Sequence, residues 1–133
     1  MAYQAADIMV DKKEQLEKIE GVCLPEETIR AVFDMKGGGT GFLGLTDKRV
    51  IYYDKAFLKK RKAMVSIPYR RIACVASEDT GGFFIKKGFF VSDTLTIEPI
   101  GLEARTFVFR GGEKAHLAHN IIMEYLLDSN QPG

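Results

Sequence analysis

The chain has 133 residues, a formal net charge of +1, and 46% hydrophobic and 28% charged residues. That size suits one domain able to bury roughly two-thirds of its unfolded surface, and the composition excludes disorder as the dominant state. No apolar run reaches the ~20 residues of a membrane-spanning helix and no basic-then-apolar leader opens the chain, while Cys23 and Cys74 are too few for a disulfide scaffold or a four-ligand zinc site, so a cytoplasmic protein with reduced thiols is expected.

Ala5–Ile19 reads as an amphipathic helix. Ala5, Ile8, Met9, Leu16, Ile19 and Cys23 recur at three- and four-residue spacing, opposite Asp11, Lys12, Lys13, Glu14, Glu17 and Lys18. Gly21 stands where such a helix ends, and Pro25 forbids its continuation. The stripe must be buried on the same domain or on a neighbouring subunit.

From Glu27 the period changes to two. Ile29, Ala31, Phe33 and Met35 alternate with polar residues through Lys36, which predicts a half-buried strand. Gly37–Gly41 breaks the pattern as a hairpin loop; it lacks the Gly-Lys-Ser/Thr ending and the following helix of a phosphate-cradling loop. Phe42–Thr46, Arg49–Tyr53, Ala63–Ile67, Arg71–Ser77, Thr94–Glu98 and Arg105–Arg110 follow as strands, with a basic loop at Asp54–Lys62. Residues 82–91 hold two apolar pieces, of which Phe83-Phe84-Ile85 is the better strand. The last element is a helix with Ala115, Ala118, Ile121, Ile122, Tyr125 and Leu126 on its buried stripe, ending in a frayed tail at Asp128–Gly133. About seven antiparallel strands and one C-terminal helix suit a mainly β (α+β) domain: a strongly bent sheet whose halves pack orthogonally, capped by that helix. The corresponding divisions are an N-terminal amphipathic helix (1–24), the β domain (25–128) and a disordered tail (129–133).

Two motifs carry a resemblance. Gly41-Phe42-Leu43-Gly44-Leu45-Thr46-Asp47-Lys48-Arg49-Val50-Ile51-Tyr52-Tyr53-Asp54, followed by Ser66-Ile67-Pro68-Tyr69-Arg70-Arg71-Ile72, is similar to the bacterial pleckstrin-homology-like (PH-like) domains over roughly Glu27–Leu127. The first motif joins two strands, and Asp47 is suited to accept backbone N–H bonds at its turn. Members of the wider family that bind phosphoinositides place a lysine at the end of the first strand and a basic-x-arginine step on the second. Lys36 fills the first role, but Gly41–Leu45 carries no base to grip phosphate.

Charge gives the most specific lead to function. Residues 1–35 hold eight acids against four bases, residues 36–71 two against ten, and residues 72–133 eight against five. The cations cluster at Lys55, Lys59, Lys60, Arg61 and Lys62, then at Arg70 and Arg71, and Phe57-Leu58 sits within the first group. Lys59, Lys60, Arg61, Lys62, Arg70 and Arg71 are therefore the candidate contacts to an anionic surface or partner. No nucleophile–base pair, paired carboxylates or third ligand beside His116 and His119 is evident, so neither catalysis nor a metal or other cofactor is expected. The expected function is a non-catalytic interaction or assembly domain, contacting another protein or itself as a homo-oligomer. The alternative is a peripheral membrane module docking loop 55–62 on anionic lipid, at about 1 kcal/mol per basic residue. Nucleic acid is not an expected partner, because Phe33, Phe107 and Phe109 fall on inward faces.

Overall fold

A computed structural model describes residues 8–36, 40–57, 61–78, 85–86, 89–90, 93–111 and 113–129. The chain divides at Pro68 into two compact units, residues 1–68 and 69–133.

The first unit opens on a two-residue strand, β1 (Met9–Val10), and a helix, α1 (Lys13–Val22). Four longer strands follow: β2 (Ile29–Asp34), β3 (Thr40–Thr46), β4 (Arg49–Phe57) and β5 (Arg61–Pro68). They form one sheet in the order β1-β2-β3-β4-β5. β2 to β5 is an antiparallel meander, whereas β1 runs parallel to β2, with Met9 opposite Ala31 and Val10 opposite Val32.

The helix expected at Ala5–Ile19 is therefore displaced. Asp11 fixes the change: its amide donates to the Val32 carbonyl at 3.0 Å, and its carboxylate accepts the Asp34 amide at 2.9 Å. Both bonds hold Met9–Val10 extended along the sheet edge, so the helix starts only after Lys12, itself extended at φ −137°; Ala5, Ala6 and Asp7 of the expected helix lie outside the described residues. Gly21 falls inside the last turn rather than ending it, and the chain becomes extended at Cys23, two residues before Pro25.

α1 packs on its own chain. Ile19 is fully buried over β3, where a Cβ on Gly44 would lie 2.7 Å from the Ile19 Cδ1, so the glycine is what admits the helix. Ile19, Ile29, Val32, Phe42 and Ile51 form the core cluster between helix and sheet, and Leu16, Cys23, Tyr53 and Met64 pack around it. This cover corrects the half-buried reading of β2: five of its six residues are buried, as are all seven of β3. Asp34 is drawn into the interior with its charge answered, 2.8 Å from the Gln15 amide nitrogen and 3.5 Å from Lys12 Nζ.

β4 and β5 are longer than read. Their ladder continues past a register shift to pair Phe57 with Arg61, so strand takes up residues 54–57 and 61–62 of the expected loop, and residues 58–60 lie outside the described residues.

The second unit begins with a 3-10 turn, Tyr69–Arg71. It continues through β6 (Ile72–Glu78), β7 (Ile85–Lys86), β8 (Phe89–Phe90), β9 (Thr94–Pro99), β10 (Arg105–Val108) and helix α2 (Lys114–Ser129). β10, β9 and β6 form a three-stranded antiparallel sheet in that order. Of the two apolar pieces in residues 82–91, Ile85–Lys86 and Phe89–Phe90 pair antiparallel, with Ile85 facing Phe90 and Lys86 facing Phe89; Phe83 and Phe84 of the favoured piece lie outside the described residues. α2 packs on β6, β9 and the 3-10 turn through the expected stripe, with Ala115, Ala118, Ile121, Ile122 and Leu126 buried. Tyr69 is buried and stacks on Tyr125 with ring centroids 5.4 Å apart. The helix runs through Asp128 to Ser129 instead of fraying at Asp128, because no glycine or proline interrupts it and Leu126 anchors its last turn.

The seven expected antiparallel strands are thus β2 to β6, β9 and β10, and the fold is mainly β, with sheets of five and three strands and a helix towards each end. Cys74 is exposed: it lies on β6, the outer strand of the smaller sheet.

Candidate functional site

The residues that carry the family resemblance are spent on an internal clasp. Glu27, just ahead of β2, has a fully buried carboxylate. The Arg49 guanidinium, at the start of β4, grips it with two bonds of 2.8 Å, Nε to Oε2 and Nη2 to Oε1. Thr46 at the end of β3 donates its hydroxyl to Oε2 at 2.6 Å, and the Leu24 amide donates to Oε1 at 3.0 Å. Arg49 also donates to the Val22 carbonyl at 2.7 Å and to Ser66 Oγ at 3.0 Å. Asp47 accepts the Thr28 amide and returns its own amide to the Thr28 carbonyl, each at 2.9 Å, so it bonds the segment before β2, while the amides of its own turn, Lys48 and Arg49, donate to Thr46 Oγ at 3.0 Å. The Thr46–Arg49 turn therefore ties the end of α1, the loop before β2 and β5 together.

The electrostatics follow from this geometry. Burial alone would raise the Glu27 carboxyl; the bonds from Arg49, Thr46 and the Leu24 amide outweigh it and hold the group at about 2 instead of its ordinary 4.5. The same carboxylate holds the Arg49 guanidinium above its ordinary value. Burial, reinforced by the charge of Glu27, pushes the nearby Cys23 thiol up to about 11, which makes it a poor nucleophile. Neither Glu27 nor Arg49 stood out in the sequence as a pair, since 22 residues separate them.

Four of the six candidate cations belong to the first unit and two to the second. Lys59 and Lys60 lie outside the described residues, whereas Arg61 and Lys62 open β5. Arg70 and Arg71 are exposed on the 3-10 turn, held outward by the buried Tyr69 beside them. Lys36 is exposed after β2, and β3, buried throughout, carries no base.

Beside the arginine turn is a feature the sequence reading missed. β6 begins opposite the end of β9, pairing Ile72 with Pro99, and the Ile100 amide donates to the Arg71 carbonyl at 2.7 Å. Pro99-Ile100-Gly101-Leu102 then reverses the chain, closed by the Leu102 amide on the Pro99 carbonyl at 3.3 Å, with Gly101 at φ +80°. This turn lifts two aliphatic side chains into solvent, Ile100 at 48% and Leu102 at 70% exposure. A Pro-x-Gly-x turn with aliphatics in both open positions was the available signal. In the first unit, an open depression of about 440 Å³ is lined by Leu24, Pro25, Glu26, Glu27 and Lys48. Among the described residues no three His, Cys, Asp or Glu side chains converge to hold a metal ion; the rings of His116 and His119 stack 5.8 Å apart on α2.

Comparison with known proteins places this architecture. A family model described as "Bacterial PH domain" matches residues 24–108. The chain belongs to the bacterial PH-domain family. Within it, a 74-residue stretch is 27% identical to the uncharacterized protein YozO of Bacillus subtilis (strain 168), covering 56% of this chain and 62% of that one, so the chain spans less than two-thirds of that relative's length. Solved structures extend the likeness in fold. A pleckstrin homology domain from Shewanella amazonensis SB2B matches with a TM-score of 0.59 at 20% identity, over 88% of this chain and 99% of its own. A DUF1696-family protein with a pleckstrin-homology domain from Shewanella loihica PV-4 matches at 0.58 and 16% identity, over 85% and 91%. This bacterial PH domain thus shares the PH-like fold with both.

Proposed function

We propose that this bacterial PH domain is a non-catalytic interaction module whose partner is protein, a second copy of the chain included. The observation carrying this reading is the exposed Ile100–Leu102 turn beside Arg70 and Arg71. Aliphatic side chains held in water on a fixed turn, whose backbone is bonded to that of the exposed Arg71, have the make-up of a contact surface with polar residues beside an apolar tip. Two free thiols, one of them the exposed Cys74, suit action in a reducing cytoplasm. Solution mass by light scattering or sedimentation velocity, followed across the micromolar range, tests self-association. A rising mass supports it, and a mass equal to one chain throughout removes homo-oligomerisation from the reading.

A second reading rests on the run Lys59-Lys60-Arg61-Lys62 at the join of β4 and β5, which would dock this face peripherally on anionic lipid. It predicts co-sedimentation with vesicles containing phosphatidylserine that weakens as salt is added, and loss of that binding in Lys60→Glu/Arg61→Glu. Equal recovery with neutral and anionic vesicles ends it.

A further inference from the structure

We infer that a second copy of this chain seats its Ile100–Leu102 turn in the Leu24–Pro25 depression of the first, a step that rests on the self-association reading above. Seven large hydrophobic side chains are exposed among the described residues, and three of them fall in these two places: Leu24 at the depression, Ile100 and Leu102 on the turn. One surface is a projecting tip, closed by a single backbone bond and fixed to the Arg71 carbonyl. The other is concave, and its volume of about 440 Å³ lies within the ~300–1,000 Å³ of sites that admit small ligands, room enough for two aliphatic side chains.

Charge matches as shape does. The tip carries Arg70 and Arg71 on one side and the exposed Glu103 next to Leu102. The depression presents the exposed Glu26 and Lys48 around its apolar floor. An arginine can meet Glu26 while Glu103 meets Lys48, each pair at the rim, where opposite charges fix register more than they add affinity. The depression is also rigid where it matters: its Glu27 wall and its Leu24 amide are bonded to one another and to the Arg49 clasp. A bilayer fits the tip less well, because Glu98 and Glu103 stand exposed beside the aliphatics and would be repelled by anionic headgroups. Since the two surfaces differ, the contact is head-to-tail, each copy offering one tip and one depression.

A head-to-tail contact has a diagnostic test. Leu102→Asp removes the tip and Leu24→Asp the depression; both positions are exposed, so far-ultraviolet circular dichroism should match the wild type. In sedimentation velocity the wild type should form species larger than a monomer, and each variant alone should stay monomeric. An equimolar mixture of the two should form a dimer and nothing larger, because the pair retains one intact tip and one intact depression. Arg71→Glu should weaken association about 2–5-fold, and Glu26→Arg in the same chain should recover it. Wild-type association unchanged by both aspartates, or variants that remain monomeric when mixed, overturns the assignment of these surfaces while self-association stands. A wild type that never exceeds one chain overturns both.

Discussion

Arg49→Met tests the clasp most directly. The substitution removes two charged bonds to Glu27 and one each to Ser66 and the Val22 carbonyl, and it leaves a fully buried carboxylate with only the Thr46 hydroxyl and the Leu24 amide. Removing one partner of a buried ion pair costs about 3–5 kcal/mol, and the two surviving bonds place this case near 3, or roughly 10 °C in Tm for a chain of this length. Replacing both partners, as Glu27→Leu/Arg49→Met, should cost clearly less than the two single changes together, because no charge is then stranded. The pH dependence supplies an independent check. Glu27 is held at about 2 in the folded chain against an ordinary 4.5, so the folded state binds its proton more weakly than the unfolded state. Its contribution is complete above about pH 5 and drains away as pH falls towards 2, by at most about 3 kcal/mol, with solvent around the one-fifth-exposed Arg49 trimming this towards 2. Thermal and urea unfolding between pH 7 and pH 3 should therefore show a steeper acid loss in the wild type than in Glu27→Gln. A Tm for Arg49→Met within about 1 °C of wild type, or an acid limb unchanged in Glu27→Gln, would refute the reasoning.

Three further outcomes follow from single contacts. Gly44→Ala should lower stability by about 1–3 kcal/mol in urea unfolding, since the new methyl meets a fully buried Ile19, and Ile19→Ala in the same chain should show less than additive loss; simple additivity would mean the helix does not rest on that glycine. Gly101→Ala meets nothing within 4 Å, so its cost of about 1–2 kcal/mol should come from the backbone alone, and Gly101→Asn, which tolerates φ +80° better, should lose less. With its thiol at about 11, Cys23 should be roughly one-thousandth thiolate at pH 8, so peptide mapping after brief alkylation should find label on the exposed Cys74 first; equal rates at the two sites would contradict the burial of Cys23.

How far the sequence could be read depends on whether an element's signal was local. The apolar runs of β3 to β5 and the stripe of α2 are local signals, and these elements lie at the positions expected, with β4 and β5 reaching beyond the expected ends. The N-terminal helix was misplaced because its true start is set from a distance: Asp11 bonds to Val32 and Asp34 across the sheet, and no residue near position 12 caps the helix. β2 gave a one-sided pattern that α1 then covered, and the tolerance for this lies in a glycine on another strand. For the candidate site the limit is similar. Charge is countable along a chain, whereas Ile100 and Leu102 look like ordinary core residues until a turn is known to raise them into water.

The clasp also explains why family membership says more about scaffold than about partner. Within Thr46-Asp47-Lys48-Arg49, the threonine, the aspartate and the arginine are each committed to bonds that hold other segments in place. Ser66 receives the arginine, and Tyr69, from the second motif, is buried against Tyr125. A ligand that recruited any of these side chains would have to replace interactions worth about 1–3 kcal/mol each at charged or buried sites. Lys48 is the exception: its side chain is half-exposed, its salt bridge to Asp47 spans 3.7 Å, and it lines the depression beside Leu24. A surface contact of that length contributes little, so Lys48 is the motif residue a partner can engage without loosening the fold. Recognition by this domain is therefore to be sought where the motif leaves side chains uncommitted, at Lys48 and Glu26 on one unit and at the arginine turn on the other.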